Sequence, residues 1–289
     1  MEDTQTILIA DSGSTKADWC LLHGGLPHYY RTSGISPYLL TENRIREILQ
    51  TELVAHLPRG VHVSHIYFYG TGCAAHHHQQ LMHKLLSEFF PAAKTEVHTD
   101  LVGAARAACG QSAGVVAILG TGSGLCYYEQ GQIVKYRPGL GYILGDEGSG
   151  TYLGKKVLQY YLYEIFDEEL REAFYEKYHE TRDAILDKVY RQLTPNTYLA
   201  SFSRFLSEHR GHYMVENILE DGLNDFFFYH VFKYKESWTC PVHFVGGVAW
   251  AYQDVLQEIC ILNELQIGRI LHKPIEGLVV YHQAGILQS

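Results

Sequence analysis

Short unbroken apolar runs alternate with turns rich in glycine and hydroxyl residues along this chain. Ile7-Leu8-Ile9-Ala10 reads as a buried strand that stops at Asp11-Ser12-Gly13-Ser14-Thr15. Trp19-Cys20-Leu21-Leu22 resumes strand character, Gly24-Gly25 is a turn signal, and His28-Tyr29-Tyr30-Arg31-Thr32 predicts a third strand. From Thr41, a helix cap, the period changes: Ile45, Ile48, Leu49 and Leu53 fall at helical spacing. His65 to Tyr69 predicts a strand ending in Gly70-Thr71-Gly72, and Gln79 to Phe90 a helix. Glu96-Val97-His98 predicts a short strand running into Asp100, and Val102 to Ala108 another helix.

The opening plan then recurs. Gly114 to Leu119 is a buried-strand run ending at Gly120-Thr121-Gly122-Ser123-Gly124, followed by strands at Leu125–Tyr128 and Ile133–Tyr136. Strand, small-residue turn, strand, turn, strand thus appears twice, about a hundred residues apart, which argues for two related domains. The expected boundaries are 1–112 and 113–289, with a helical insertion over about 151–235. Val242–Val245 predicts one more strand, ending at Gly246-Gly247, and Val248 to Ile261 a helix. A closing helix is expected over about 277–289, packing back on the N-terminal domain.

Composition narrows the class. Of 289 residues, 46% are apolar and 19% charged, as in a globular protein with a substantial core. The net charge of −9 argues against a nucleic-acid partner. Small anions remain open, because backbone N–H groups at turns and helix starts bind phosphate without net positive charge. Cys20, Cys73, Cys109, Cys126, Cys240 and Cys260 are scattered with no C-x-x-C pair, so neither disulfides nor a structural zinc are expected. No apolar run approaches the roughly 20 residues of a membrane helix. The acidic start Met-Glu-Asp-Thr-Gln is no signal peptide, and a cytoplasmic setting with no membrane partner is expected.

Gly145-Asp146-Glu147-Gly148-Ser149 packs two carboxylates between glycines before a helical segment, where Ser149 and backbone N–H groups can organise them. A helix N-terminus with a capping carboxylate is the competing account. Asp11 to Lys16 forms a hairpin turn and not a Walker P-loop, since the spacing is wrong and no helix follows. Gly13, Ser14, Thr15 and Lys16 can still wrap a phosphate, and Asp11 could hold a hydrated Mg²⁺. An ordinary turn with Asp11 as Asx-turn former is the alternative. Thr121, Gly122 and Ser123 offer the same chemistry in the second half, and Gly246-Gly247 lets a flat adenine or ribose approach the backbone. Asp100, at a strand-to-helix junction beside Thr99, is either an N-cap or a base taking the proton of an attacking hydroxyl. His76-His77-His78 cannot converge on one metal, because consecutive helical positions diverge by about 100°; a solvated helix start accounts for it.

Taken in order, these residues resemble the sugar-kinase branch of the actin-like ATPase superfamily. Asp11 to Lys16 is similar to its first phosphate motif, Gly120 to Ser123 to its second, and Val245-Gly246-Gly247-Val248-Ala249 to its adenosine motif. Thr99-Asp100 and Gly139-Leu140-Gly141 through Gly145-Asp146-Glu147-Gly148-Ser149 are similar to N-acetylglucosamine kinases, grouped with BadF/BadG-type ATPases. The resemblance implies an α/β fold of two RNase-H-like domains flanking a cleft for ATP, Mg²⁺ and an amino sugar. It gives Asp100 the role of base for the sugar 6-hydroxyl, and sugar binding to Asp146 and the Gly139-Leu140-Gly141 backbone. Thr15, Thr121 and Gly122 would hold phosphates, and Gly246-Gly247 would border the adenosine. Glu147 either faces the water shell of the metal held at Asp11 or caps the helix.

Two positions depart from the family pattern. Ser36 stands where an Asn usually meets the sugar, and Leu140 where the animal enzymes carry an aromatic. Two other functions keep the same fold: an ATPase activator of a dehydratase, with an iron–sulfur cluster, and a sugar sensor without phosphoryl transfer. The aromatic-rich helices between Tyr160 and Tyr234 are a candidate homodimer face.

Overall fold

A computed structural model describes residues 5–191 and 195–286, which fall into two compact units. The first unit comprises residues up to Ser112 together with the segment from Lys273, the second Ala113–His272. No helix among the described residues is long and apolar enough to cross a membrane.

In the first unit β1 (Ile7–Ser12), β2 (Lys16–His23) and β3 (Leu26–Ser33) form an antiparallel meander. β4 (His65–Gly70) and β5 (Lys94–Thr99) add in parallel on the other side of β1, giving the order β3-β2-β1-β4-β5. β1 is apolar on both faces because both are covered. Leu8, Ala10, Trp19, Leu21, Ile66 and Phe68 meet Ile45 and Ile48 of α1 (Glu42–Ile48) and Leu85 and Leu86 of α2 (His76–Phe89). α1 is capped by Thr41, as its sequence predicts, and runs on into a π turn at Leu49–Leu53. α2 begins at His76, three residues before the predicted start, so the histidine run occupies its exposed first turn. The opposite face meets α3 (Asp100–Cys109) and the chain's last described helix, Pro274–Ile286. Strand register places Arg31, Asp18, Asp11, Tyr69 and His98 in one row across that face.

The second unit repeats the plan. β6 (Gly114–Leu119), β7 (Ser123–Glu129) and β8 (Gln132–Tyr136) form the meander, and β9 (Val242–Val245) and β10 (Ile267–Leu271) the parallel side, in the order β10-β9-β6-β7-β8. Between β8 and β9 lie α4 (Gly141–Leu144), α5 (Gly150–Leu162), α6 (Glu168–Tyr178), α7 (Arg182–Arg191), α8 (Pro195–Ser201), α9 (Ser203–Glu208) and α10 (Tyr213–Tyr229). Their inward faces bury Leu153, Val157, Phe174, Phe202, Phe205 and Phe226 in one core with Val115, Ala117 and Leu119 of β6.

Three further elements differ from expectation. The helix predicted over 248–261 is two, α11 (Gly247–Ala251) and α12 (Gln253–Leu262). Tyr252 leaves helical geometry between them, and its buried hydroxyl donates to the Ser203 carbonyl at 2.8 Å. β10 escapes the sequence pattern because Gly268 interrupts it and its pairing with β9 is irregular. That glycine is required: a Cβ there would lie 2.5 Å from the His243 ring. The closing helix, α13 (Pro274–Ile286), starts three residues before its expected position, with proline at its first position, where the missing N–H costs nothing. Its expected last residues, 287–289, lie outside the described residues.

Candidate active site

In the first unit the functional side chains gather at the carboxyl ends of β1, β4 and β5. Parallel strands side by side bring these ends together, and open α/β sheets bind ligands there. The hairpin turn closes through Gly13 N–H to the Lys16 carbonyl at 3.0 Å, and leaves Thr15 and Lys16 exposed at its tip. Gly34 seats the turn from below: a Cβ there would come 2.5 Å from Gly13 O. The Ser12 hydroxyl is an anchor, accepting from Ile35 N and donating to Ile35 O.

Asp11 sits one residue before that anchor. Burial, and then the charges of Asp100 and Asp18, push its carboxyl up to about 7, with Lys16 pulling the other way. Asp18 in turn is held by Arg31 Nε at 2.9 Å. Asp100 opens α3 but does not cap it. Thr99 does, its Oγ1 accepting from Val102 N at 3.3 Å. The Asp100 carboxyl is left with the Leu101 N–H at 2.9 Å and the Thr71 hydroxyl, which only partly offset the upward shift caused by burial. Ser36 is buried, and its Oγ abuts Gly72 so closely that a Cβ there would come within 2.6 Å. The first unit therefore brings together Asp11, Asp100, Lys16, Thr71 and Asp18. The sequence reading missed Thr71 and Asp18. Gly70-Thr71-Gly72 has the composition of the other two turns, and strand alternation puts Asp18 on the face of Asp11, so both carried a signal.

In the second unit the turn after β6 and the loop before α5 are one structure. Gly150 N donates to Gly120 O at 2.8 Å, and Thr151 donates to Thr121 O through both its N–H (3.1 Å) and its hydroxyl (2.6 Å). The Asp146 carboxylate lies on the turn, accepting from the Ser123 N–H. A Cβ on Gly122 would stand 3.0 Å from Asp146 Oδ2, and one on Gly139 would stand 3.8 Å from Oδ1. Burial raises the Asp146 carboxyl, and the Ser123 N–H and then the Lys155 charge oppose the shift. Gly122, Ser123, Gly139 and Asp146 thus converge, joining residues that the sequence resemblance divides between phosphate and sugar. Leu140 is exposed, and Gly141 takes a φ of 74° to turn the chain into α4.

One expectation changes here. Glu147 does not cap α5: Ser149 does, accepting from Tyr152 N at 3.1 Å, while Glu147 Oε2 meets His230 Nε2 at 2.8 Å. Nothing near Glu147 in sequence points to a histidine 83 residues away. On the side where a Cβ would stand, Gly246 packs against Leu119, whose O would be 2.5 Å away, whereas Gly247 faces open space.

Gly120 and Gly124 likewise have nothing within 4 Å of where a Cβ would stand. These open backbone positions beside the hydroxyls of Thr121 and Ser123 suit a polyphosphate. Asp11, with the hairpin hydroxyls, suits a hydrated Mg²⁺ that takes its other ligands from phosphate and water. Among the described residues no three His, Cys, Asp or Glu side chains cluster as a metal site. Cys126 is fully buried within β7.

The chain is 38% identical to a solved protein from Porphyromonas gingivalis, covering 96% of this chain and 98% of that one with a TM-score of 0.91. A second, from Chromobacterium violaceum, is 18% identical over 96% and 98% of the two chains, with a TM-score of 0.75. Both are described as "putative N-acetylglucosamine kinase". MreB 5 of Spiroplasma citri, bound to AMPPNP, shares the fold at 10% identity over 99% and 98% of the chains, with a TM-score of 0.61. No family model and no curated protein sequence matches the chain.

Proposed function

The chain belongs to the N-acetylglucosamine kinase-like family of the actin-like ATPase and sugar kinase superfamily, and from that premise we propose that it transfers the γ-phosphoryl group of ATP to the 6-hydroxyl of an amino sugar, N-acetylglucosamine foremost. The observation that carries the reading is the state of Asp100. Thr99 performs the capping, and the Asp100 carboxyl is desolvated, raised and held in place by Leu101 and Thr71. A carboxyl raised above its ordinary value is a stronger base toward a sugar hydroxyl.

Phosphoryl transfer asks a protein mainly for positioning and for stabilisation of spreading charge. Asp146 accepts hydrogen bonds from sugar hydroxyls while the Gly139-Leu140-Gly141 backbone borders the ring. Asp100 takes the proton of the attacking 6-hydroxyl as the oxygen–phosphorus bond forms and the bond to the leaving β-phosphate oxygen breaks. The Gly13 to Lys16 hairpin and the Thr121–Ser123 turn donate N–H and hydroxyl hydrogen bonds to phosphate oxygens, and Gly247 borders the nucleoside. Mg²⁺, when bound, would neutralise phosphate charge, and Asp11 would be the carboxylate to hold its water shell.

Coupled ADP release across glucosamine, N-acetylglucosamine, N-acetylmannosamine, N-acetylmuramate and glucose tests the proposal. Turnover that depends on N-acetylglucosamine is expected. ATP hydrolysis indifferent to every sugar would overturn it. The rate should fall at acid pH as Asp100 takes up a proton, with the fall beginning above the ordinary carboxyl range near 4.

A further inference from the structure

The partner of Glu147 belongs to a larger clamp. His230 is the first residue beyond α10, and a carboxylate can only accept, so the hydrogen shared with Glu147 resides on His230 Nε2. The pair is shielded, with side-chain exposures of 25% for His230 and 14% for Glu147. The same stretch of α10 grips the neighbours. The Phe226 ring lies 5.1 Å from the His230 ring, and the Phe226 Cβ is so near Gly148 that a Cβ there would come within 2.8 Å of it. Tyr152, in the first turn of α5, donates to Asp225 of α10 at 2.6 Å. From the other end Lys155 Nζ donates to Tyr142 O at 2.5 Å.

What this clamp encloses is Asp146, whose φ of 57° lies in the left-handed region. A residue with a side chain persists there only where its surroundings hold it. Ser149 N donates to Asp146 O at 3.1 Å, and Ser123 N–H meets the carboxylate. The segment joining the third and fourth strands, about thirty residues in the first unit, is in this unit the long insertion. Its last helix is the one that returns to the 145–149 turn.

We infer that Glu147 and His230 form a positioning couple, whose hydrogen bond locks the 145–149 turn so that the Asp146 carboxylate stays seated against Gly122 and Ser123 and presents one fixed set of acceptors to the substrate. The inference rests on Asp146 as a sugar ligand, the reading of the preceding section. It assigns the Glu147 carboxylate to the turn and not to the metal's water shell.

Hydrogen exchange of the 141–151 segment, read by mass spectrometry on the full chain, tests the couple without any turnover. In His230→Ala, exchange there should accelerate about tenfold, the loss expected for a hydrogen bond to a charged group, with β6 and α12 unchanged. His230→Gln, which keeps a donor, should restore most of the protection. Glu147→Gln keeps the side-chain shape and should show the same change, smaller in size, which covers failure of the alanine variant to fold. In steady state the KM for N-acetylglucosamine should rise about tenfold in His230→Ala, with kcat and the Mg²⁺ half-saturation close to wild type. Wild-type exchange in both folded variants, or a raised Mg²⁺ half-saturation at unchanged sugar KM, would overturn the couple. A wild-type protein inert toward N-acetylglucosamine would overturn the kinase proposal, and the exchange result would still decide the couple.

Discussion

The two glycine-and-hydroxyl turns stand at the same point of the same sheet plan, yet they are backed differently. Strand for strand, β1 to β5 correspond to β6 to β10. Each turn is seated by a glycine from a neighbouring segment: Gly34 beneath Gly13 and Ser14, Gly246 beneath Leu119 and Gly120. In the first unit the acids are built into the scaffold, with Asp11 and Asp18 inside strands and Asp100 on the first residue of a helix. In the second, Ile118 stands at the fifth strand position that Asp11 fills, and the carboxylate arrives from a loop as Asp146. The repeated fold supplies turn geometry; the carboxylates set beside each turn differ in the element that carries them. Burial raises the carboxyls of Asp11 and Asp100, and on the proposed reaction the one at Asp100 would serve proton transfer. An acid on a clamped loop suits recognition.

The largest test of that division is Asp100→Asn. We expect kcat to fall by about 10³-fold or more, since a positioned base contributes roughly 10² to 10⁴. The unfolding midpoint should hold or rise, because burial already disfavours the charged form. Sugar-dependent turnover at wild-type rate would remove Asp100 from the chemistry and dissolve the contrast between the units.

Local sequence disclosed what local physics controls. Thr41, Thr99 and Ser149 cap helices through their own side chains, and the meander strands end at turns that glycine and serine announce. Asp11, Asp100 and Asp146 stood out as candidates for the same reason, since each lies in or beside a turn or at a strand end. Contacts across long separations were not legible. Glu147 with His230 and Asp146 against Gly122 depend on how a helical insertion folds back, and no window of sequence holds both partners. β10 was hidden because its glycine answers to a histidine on the adjacent strand.

Next in size are the two seating glycines. Gly34→Ala and Gly246→Ala should each cost about 3 kcal/mol or more, in the range of severe overpacking, as a Cβ would stand 2.5 Å from backbone oxygen in both. Gly246→Ala should be the worse, since its φ of 121° excludes a side chain as well. Gly247→Ala, with open space around it, should leave stability nearly unchanged and raise the KM for ATP. Urea unfolding of the three variants checks the pairing; small losses at both Gly34 and Gly246 would show that these glycines do not seat the turns, and a small loss at one alone would show that the turns are not seated alike.

Asp11 should reveal itself in the pH dependence of stability. Its carboxyl titrates near 7 in the folded chain and near 4 when unfolded, so the native state binds the proton more tightly between those values. The stability it contributes as a neutral acid is present below pH ~4 and is lost as pH rises through 7. Asp11→Asn should therefore raise the unfolding midpoint at pH 8, by on the order of 1–2 kcal/mol, and change it little at pH 4, while impairing turnover. Burial also raises the loop-borne Asp146, against the Ser123 N–H and the Lys155 charge, so Asp146→Asn should show an effect of the same sign.

The smallest and most discriminating contrast is between the turns themselves. A Cβ on Gly13 would meet only Lys16 O, at 3.6 Å, which is ordinary contact, whereas one on Gly122 would stand 3.0 Å from Asp146 Oδ2. Gly122→Ala must therefore move the carboxylate by a few tenths of an ångström, and the clamp around residues 145–149 resists that movement. The sugar KM should rise about tenfold, the order of one weakened charge-assisted hydrogen bond, with the KM for ATP less affected. Gly13→Ala should leave the sugar KM at wild type and show whatever effect it has in the KM for ATP. Sugar and nucleotide titrations of the two variants read the result directly. If Gly122→Ala weakened ATP alone, Asp146 would be a support for the phosphate turn and the recognition role of the second unit would have to lie elsewhere, in the Gly139-Leu140-Gly141 backbone.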